Sequence, residues 1–383
     1  MAVKWQGKSL IAVVILLLIV ATGIYGMGNT LIRGQVVFGS TDYVPWNLLI
    51  VAYVFLALMA SGMCMLASAS HVLGFKKFDF LGKRAIFLAL AVLIPGLLVL
   101  AMDLGRLDRA YLFITSPNLQ APMWWMGATY GVYVVLLVVE FVAMHNKNEK
   151  VMHYASYLTL AGAIAATSIL GGIFAIVVQR PLWYGGATSV FFALSALMTG
   201  IACLTIFTYF TYKFINKQLP RKVDEALIDL SKLMGILIGV ALGFNAWRLI
   251  TMFYTGTPDF SLIFNGEYAL MYWGGALLLG LIIPLMIIIS KRTSVIAVGV
   301  SFLVLFGMFF DKFVTVIGGQ LAQPYGEMAT YTATVTEWLI FVGAMAATVV
   351  VYMIGTKIFN LSESTHEEKD KKTTKKKIQP SAI

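Results

Sequence analysis

The chain has 383 residues, of which 60% are hydrophobic and 12% charged, and its formal net charge is +10. A soluble domain carries near a quarter charged residues and alternating faces. Apolar runs of 18 or more residues spread over the whole length therefore exclude a water-soluble fold and predict an all-α integral membrane protein.

The basic residues lie between the apolar runs rather than in one patch, which argues against a nucleic-acid partner and for contact with membrane lipid. The two cysteines, Cys64 and Cys203, each sit inside an apolar run and supply neither a disulfide framework nor a ligand set for zinc or an iron–sulfur cluster.

Along the chain, two lysines precede the run Ile11 to Val20. Ala21, Gly23 and Gly26 behind it make a poor cleavage site, so the run predicts a retained first helix rather than a signal peptide. About 20 apolar residues are needed to cross roughly 30 Å of hydrocarbon. That criterion predicts ten helices, near 9–27, 45–70, 84–104, 123–144, 153–178, 186–212, 231–252, 268–290, 293–316 and 334–356.

The connections divide sharply by charge. The N-terminus, 71–84, 145–153, 213–232, 291–293 and the C-terminal tail hold 22 of the 28 Lys and Arg residues; 28–44, 103–122, 179–186, 248–267 and 311–333 hold 6. By the positive-inside rule both termini face the cytoplasm, which places the protein as a multi-pass component of the cell (inner) membrane. The stretch 216–232 reads as a short amphipathic cytoplasmic connector, and 361–383 as a solvated Lys-rich tail.

An internal repeat is visible. "VFLAL" (Val54 to Leu58), preceded by Pro45 and Trp46, matches "VFFAL" (Val190 to Leu194), preceded by Pro181 and Trp183. "MWWMG" from Met123 matches "MYWGG" from Met271, and Arg106 at the expected end of helix three matches Arg248 at that of helix seven. The offsets of 136, 148 and 142 residues each span four helices, an even number that preserves orientation. Helices two to five and six to nine thus predict two tandem four-helix bundles flanked by helices one and ten. The expected division is 1–44, 45–178, 179–318, 319–360 and the tail 361–383.

A charge within a span costs about 2.5–3.5 kcal/mol on insertion scales, so each such residue needs a reason. Asp103 and Arg106 are three apart, which places them on one helical face as a pair. At the same outer level lie Arg33, Asp42, Asn47, Arg180, Asn245, Arg248, Asp311, Lys312 and Glu337, a polar layer shared by both bundles. Glu140 lies near the cytoplasmic end of helix four, either snorkelling to the interface or forming the inner station of a proton path. The candidates for that path are Glu140, Arg248, Asp311, Lys312 and Glu337.

Trp46, Tyr111, Trp124, Trp125, Trp183, Tyr184 and Trp273 fit an interfacial aromatic belt, and the same residue types suit a flat quinone headgroup. His71, His145, His153 and His366 sit at cytoplasmic helix ends or in the tail, with no facing pair to ligate haem. No P-loop, zinc motif, nucleophile elbow or dinucleotide fingerprint occurs.

The ordered series then becomes familiar. It comprises Pro45-Trp46 leading into "IVAYVFLALMASG", "DLGR" at Asp103 to Arg106, "SPNLQAPMWWMGATYGVYV", "RPLW" at Arg180 to Trp183, "YWGGALLLGLIIPL", "FGMFFDKFVTVIGGQ" and "TEWLI". Over about residues 45–356 it resembles the NrfD/PsrC family of membrane subunits, especially its ten-helix, HybB-like branch.

The resemblance implies a haem-free anchor without an iron–sulfur cluster of its own, exchanging electrons between the menaquinone or ubiquinone pool and a ferredoxin-like iron–sulfur subunit docked on the outer face. That partner implies in turn a further catalytic or cytochrome subunit. Carried over by position, Trp46, Asn47, Asp103, Arg106 and Trp124 would line the quinone site, with Arg106 polarising a carbonyl and Asp103 orienting it or relaying a proton. Some relatives place a histidine near this site; here none lies on the outer face. The rival reading is a secondary transporter or proton-conducting subunit without quinone chemistry. Against it, only Pro95 and Pro284 interrupt the spans, and the charges crowd one face rather than the midplane.

Overall fold

The computed structural model describes residues 7–72, 77–215, 218–256, 258–321, 330–359 and 361. Apart from Leu361, the expected Lys-rich tail lies outside the described residues. Among the described residues ten helices are long and apolar enough to cross a membrane. They are α1 (Gly7–Arg33), α2 (Leu48–Val72), α3 (Gly82–Asp103), α4 (Pro122–His145), α5 (Glu149–Ala175), α6 (Ala187–Phe210), α7 (Arg221–Thr255), α8 (Leu270–Ser290), α9 (Ser294–Leu321) and α10 (Val335–Ile358). The end where α1, α3, α5, α7 and α9 finish is termed outer, after the charge count.

Local chemistry sets several boundaries. Pro122 opens α4, where its missing N–H costs nothing. Asn148, Thr293 and Thr334 cap α5, α9 and α10, accepting from the backbone N–H groups of Val151, Ile296 and Glu337. Gly105, at φ +72°, takes the left-handed conformation that ends α3 just beyond Asp103.

Two expectations are corrected. The polar stretch 221–230 is not a separate connector but the first turns of α7, which at 35 residues is far longer than a bare span. Arg248 does not end that helix either; α7 continues to Thr255 and stops at Gly256.

The helices pack as two rings. In one, α2, α3, α4 and α5 contact in sequence and α5 closes back on α2; α6 to α9 repeat the same circuit. The rings meet along α2 and α6, with α5 against α6 and α9 against α2, while α10 lies on α3 and α2 and carries α1 on its far side.

In lipid no hydrophobic force draws helices together, so close backbone approach supplies the packing. At the α2–α6 crossing a Cβ on Gly62 would sit 1.7 Å from the Ala196 carbonyl oxygen, and one on Gly200 would sit 2.4 Å from the Gly62 backbone. Among the described residues three segments are widened to π-helix, Thr211–Ile215 at the end of α6, Leu270–Ile282 in α8 and Val314–Gly318 in α9, a departure often found near functional sites.

Candidate functional site at the outer helix ends

The N-terminus of α2 is held by several hydrogen bonds at the outer end. Asn47 is buried, and its Oδ1 accepts from the Leu49 N–H at 2.8 Å, capping the helix. Its Nδ2 donates to Asp103 Oδ1 at 2.8 Å, tying α2 to the last residue of α3. The next N–H, of Leu48, donates to the Tyr331 hydroxyl at 2.7 Å and to Glu337 Oε2 at 3.3 Å.

Glu337 stands in a Thr-x-x-Glu sequence where a capping box would turn it back on its own helix. Thr334 still caps α10, but the carboxylate reaches across instead, accepting from the Gly39 N–H at 2.6 Å and from the Tyr331 hydroxyl. It is wholly buried, and two helix N-termini converge on its negative charge. Burial and the adjacent Glu337 carboxylate push the Tyr331 phenol well above its ordinary value, so it stays protonated as a donor.

An aromatic wall stands beside this knot. The Trp46 ring stacks on Trp183 at 5.1 Å between centroids and meets Phe174 edge-on at 5.2 Å. Gln320 clamps Trp46 by its backbone, with its Nε2 donating to the Trp46 carbonyl and its Oε1 accepting from the Trp46 N–H, each at 2.9 Å. Trp183 is 4% exposed and donates its Nε1–H to the Thr315 carbonyl in the π-helical turn of α9, so it is a structural core residue, not part of an interfacial belt. Tyr111, Trp125 and Tyr184, by contrast, are each about half exposed or more.

Trp46, Asn47 and Asp103 thus come together, and with them Gln320, Tyr331 and Glu337. Arg106 does not. The expected Asp103–Arg106 pair required helix through residue 106, but Gly105 turns the chain. Arg106 then faces solvent and binds Asp108 bidentately, Nε to Oδ1 at 3.0 Å and Nη2 to Oδ2 at 2.9 Å. That bond holds the Asp108 carboxyl below its ordinary range and the Arg106 guanidinium above its own. Trp124 packs elsewhere too, stacked on Phe113 at 5.6 Å and donating to the Phe113 carbonyl at 2.9 Å.

The remaining charges occupy two other places. Glu140 is fully buried between α2, α4 and α5, which overturns the snorkelling reading. It accepts from Ser156 at 2.7 Å and from Ser68 at 3.3 Å. In the other ring Lys312 pairs with Asp311 at 2.8 Å, donates to Ser195 at 3.0 Å and lies over the Phe191 and Phe192 rings; both charges are buried. Nearby, Arg248 donates to the Leu182 carbonyl at 3.0 Å. Among the described residues, no group of three His, Cys, Asp or Glu side chains is placed to hold a metal.

Sequence reasoning missed Tyr331, Ser68, Ser156 and Ser195, hydroxyls that serve Glu337, Glu140 or Lys312 and carry no motif. Thr334-x-x-Glu337 was the one local cue to the knot.

A family model described as polysulphide reductase, NrfD, matches residues 36–324. The chain is 22% identical to a selenate reductase subunit of Mesobacillus selenatarsenatis, over 94% of this chain and 96% of that one. It is 22% identical to the Hdr-like menaquinol oxidoreductase integral membrane subunit of Archaeoglobus fulgidus, over 91% and 92%. It is 25% identical to a putative dimethyl sulfoxide reductase membrane subunit of Halobacterium salinarum, over 94% and 92%.

Proposed function

The chain belongs to the NrfD family, and on that premise we propose that it exchanges electrons between the membrane quinone pool and an iron–sulfur subunit docked on its outer end. It is a multi-pass membrane anchor of a redox complex, and its relatives are named as subunits of reductases and of a menaquinol oxidoreductase. The name of the Archaeoglobus relative supports a quinol as the lipid-soluble carrier. Further catalytic or cytochrome subunits, the inner-membrane location and cytoplasmic termini belong to the same proposal.

The observation that carries this reading is the Asn47–Asp103 hydrogen bond at the start of α2. Interconverting quinol and quinone moves two electrons and two protons. A site for it needs a flat apolar wall and a polar group that holds a proton at the headgroup oxygen. Trp46, held by Gln320, offers the wall. Asp103 keeps one oxygen on Asn47 and has a second for the proton, and the acceptors around the Leu48 N–H fix α2 so that this geometry does not drift. Electrons pass to the partner's cluster; the protons pass to water through groups of this chain.

For the inward branch of that route the first ring offers a file of buried groups. Tyr53, Ser61, Tyr130 and Tyr133 carry buried hydroxyls without a partner among the described residues, and Cys64, Ser68 and Glu140 follow toward the inner end. Such groups recruit internal water. Asp311 and Lys312 would be the matching station of the second ring, and Glu337 a station at the outer mouth. We further read residues 45–178 and 179–318 as two copies of one unit.

Replacing Asp103 by Asn preserves size and the Asn47 contact while removing the proton site. Quinol-dependent electron transfer in the isolated complex should fall on the order of 100-fold, while dye-driven turnover of the catalytic partner stays unchanged. Full quinol activity in Asp103→Asn would overturn the site.

A further inference from the structure

We infer that the second ring holds an anionic phospholipid, its headgroup seated on Arg248. Beneath the outer ends of α6 and α7 lies a cavity of about 170 Å³ whose lining includes Thr188, Phe191, Asn245 and Arg248, with Tyr184 and Trp247 at its mouth. That is room for several waters, at about 30 Å³ each in the liquid, or for a phosphate with part of its glycerol. Tyr184 and Trp247 are 56% and 68% exposed, as expected of side chains that meet lipid rather than another helix.

The charge of Arg248 selects the occupant. Its repeat counterpart, Arg106, is neutralised by Asp108 two residues on; two residues after Arg248 stands Ile250. Arg248 donates once, to the Leu182 carbonyl, and among the described residues no carboxylate pairs with it. Two further cations near this end have partners of their own: Lys312 is matched by Asp311, and Arg180 donates to the Gln320 carbonyl at 2.6 Å.

A part-buried guanidinium at the edge of hydrocarbon is costly without an anion, and its fork suits phosphate oxygens held bidentately. Headgroup level for Arg248 is consistent with its place near the end of α7, which carries on for about two turns and ends in exposed Phe253 and Tyr254. The ligand is therefore a lipid that carries net negative charge. A zwitterionic lipid brings a cation of its own toward the guanidinium.

The test is native mass spectrometry of the full-length chain in neutral detergent, offered equal amounts of phosphatidylglycerol and phosphatidylcholine with the same acyl chains. Wild type should retain one phosphatidylglycerol with a preference of about tenfold or more. Arg248→Gln should bring the ratio to near unity, and Arg248→Lys should keep part of it. Should Arg248→Gln not fold, Thr188→Phe fills the cavity while keeping the charge and should likewise lower phosphatidylglycerol retention. Equal retention of both lipids by wild type overturns the assignment, as does an unchanged preference in Arg248→Gln or in Thr188→Phe. Complete displacement by inorganic phosphate would identify a free-anion site, and displacement by a short-chain quinone a second quinone site; either result overturns the lipid.

Discussion

Short motifs recur at the outer ends of the two rings, and the two ends use them in opposite ways. In the first, α3 stops at Asp103, its arginine swings out to solvent and Asp108 neutralises it. What stays inside is carboxylate: Asp103 on Asn47, and Glu337 at two helix N-termini. In the second, α7 runs on past its arginine, which stays part-buried beside a cavity, and the buried carboxylate Asp311 is spent on Lys312. One glycine accounts for much of the contrast. Gly105 lets α3 end, and at the repeat-related position, 247, stands Trp247, which continues the helix. On the proposals made above, the first outer end serves proton exchange and the second holds an anion.

The largest effect that would break this comparison is at Glu337. Glu337→Ala removes the acceptor for the Gly39 N–H and the Tyr331 hydroxyl and one of two for the Leu48 N–H. At about 1–3 kcal/mol for each buried donor left unsatisfied, the loss should exceed about 3 kcal/mol. A fall in the unfolding midpoint of the purified protein would record it, and Glu337→Gln should recover part. If Glu337→Ala melts like wild type, the carboxylate knot is not what fixes the first outer end.

Next in size is the seam between the rings. Gly62→Ala and Gly200→Ala each drive a methyl into the partner backbone, at 1.7 Å and 2.4 Å, with no flexible side chain able to yield. Overpacking of this kind costs about 1–3 kcal/mol. Because the two glycines face one another, the double substitution should not be additive. Additive losses in thermal stability would show that they pack independently.

A smaller loss is expected at the cap. Asn47→Ala removes the Leu49 cap and the amide donor to Asp103, about 1 kcal/mol of stability by the usual worth of an N-cap. It should reduce quinol turnover more than that figure suggests, since Asp103 loses its orientation. Equal proportional effects on stability and turnover would reduce Asn47 to a cap and nothing more.

How much of this was legible in the sequence follows from what each feature depends on. The ten spans depend on local hydropathy and so could be read residue by residue. The start of α7 could not, because Arg221 to Leu230 is helical without being apolar and the span criterion sees only apolarity. The site was half legible. Trp46, Asn47 and Asp103 converge, but Gln320 and Tyr331 arrive from more than 200 residues away, and a lone tyrosine or glutamine carries no motif. Arg106 was misplaced by treating a three-residue spacing as helical across a glycine, although Gly105 was visible as a stop. Trp183 looked interfacial by residue type; only packing shows that its ring closes the core.

The smallest expected effect falls on the residue pair that the spacing had made most prominent. Arg106 and Asp108 are solvent-exposed, and an ion pair there is screened and contributes little. Arg106 holds the Asp108 carboxyl below its ordinary value, so whatever the pair contributes is fully present above the unfolded value of about 3.9 and is lost only as pH falls through the lower folded value. Between about pH 6 and pH 8 neither partner changes charge. Arg106→Gln should therefore leave stability and quinol turnover at saturating quinol unchanged across that range, in contrast to Asp103→Asn three residues earlier. An effect on assembly is a separate matter: a charge at the rim of a docking surface alters association rate and its salt dependence, so Arg106→Gln should show itself in slower, less salt-sensitive recovery of the complex if the partner lands there. Turnover that collapses in Arg106→Gln while assembly is intact would return the arginine to the quinone site and undo the contrast between the two outer ends.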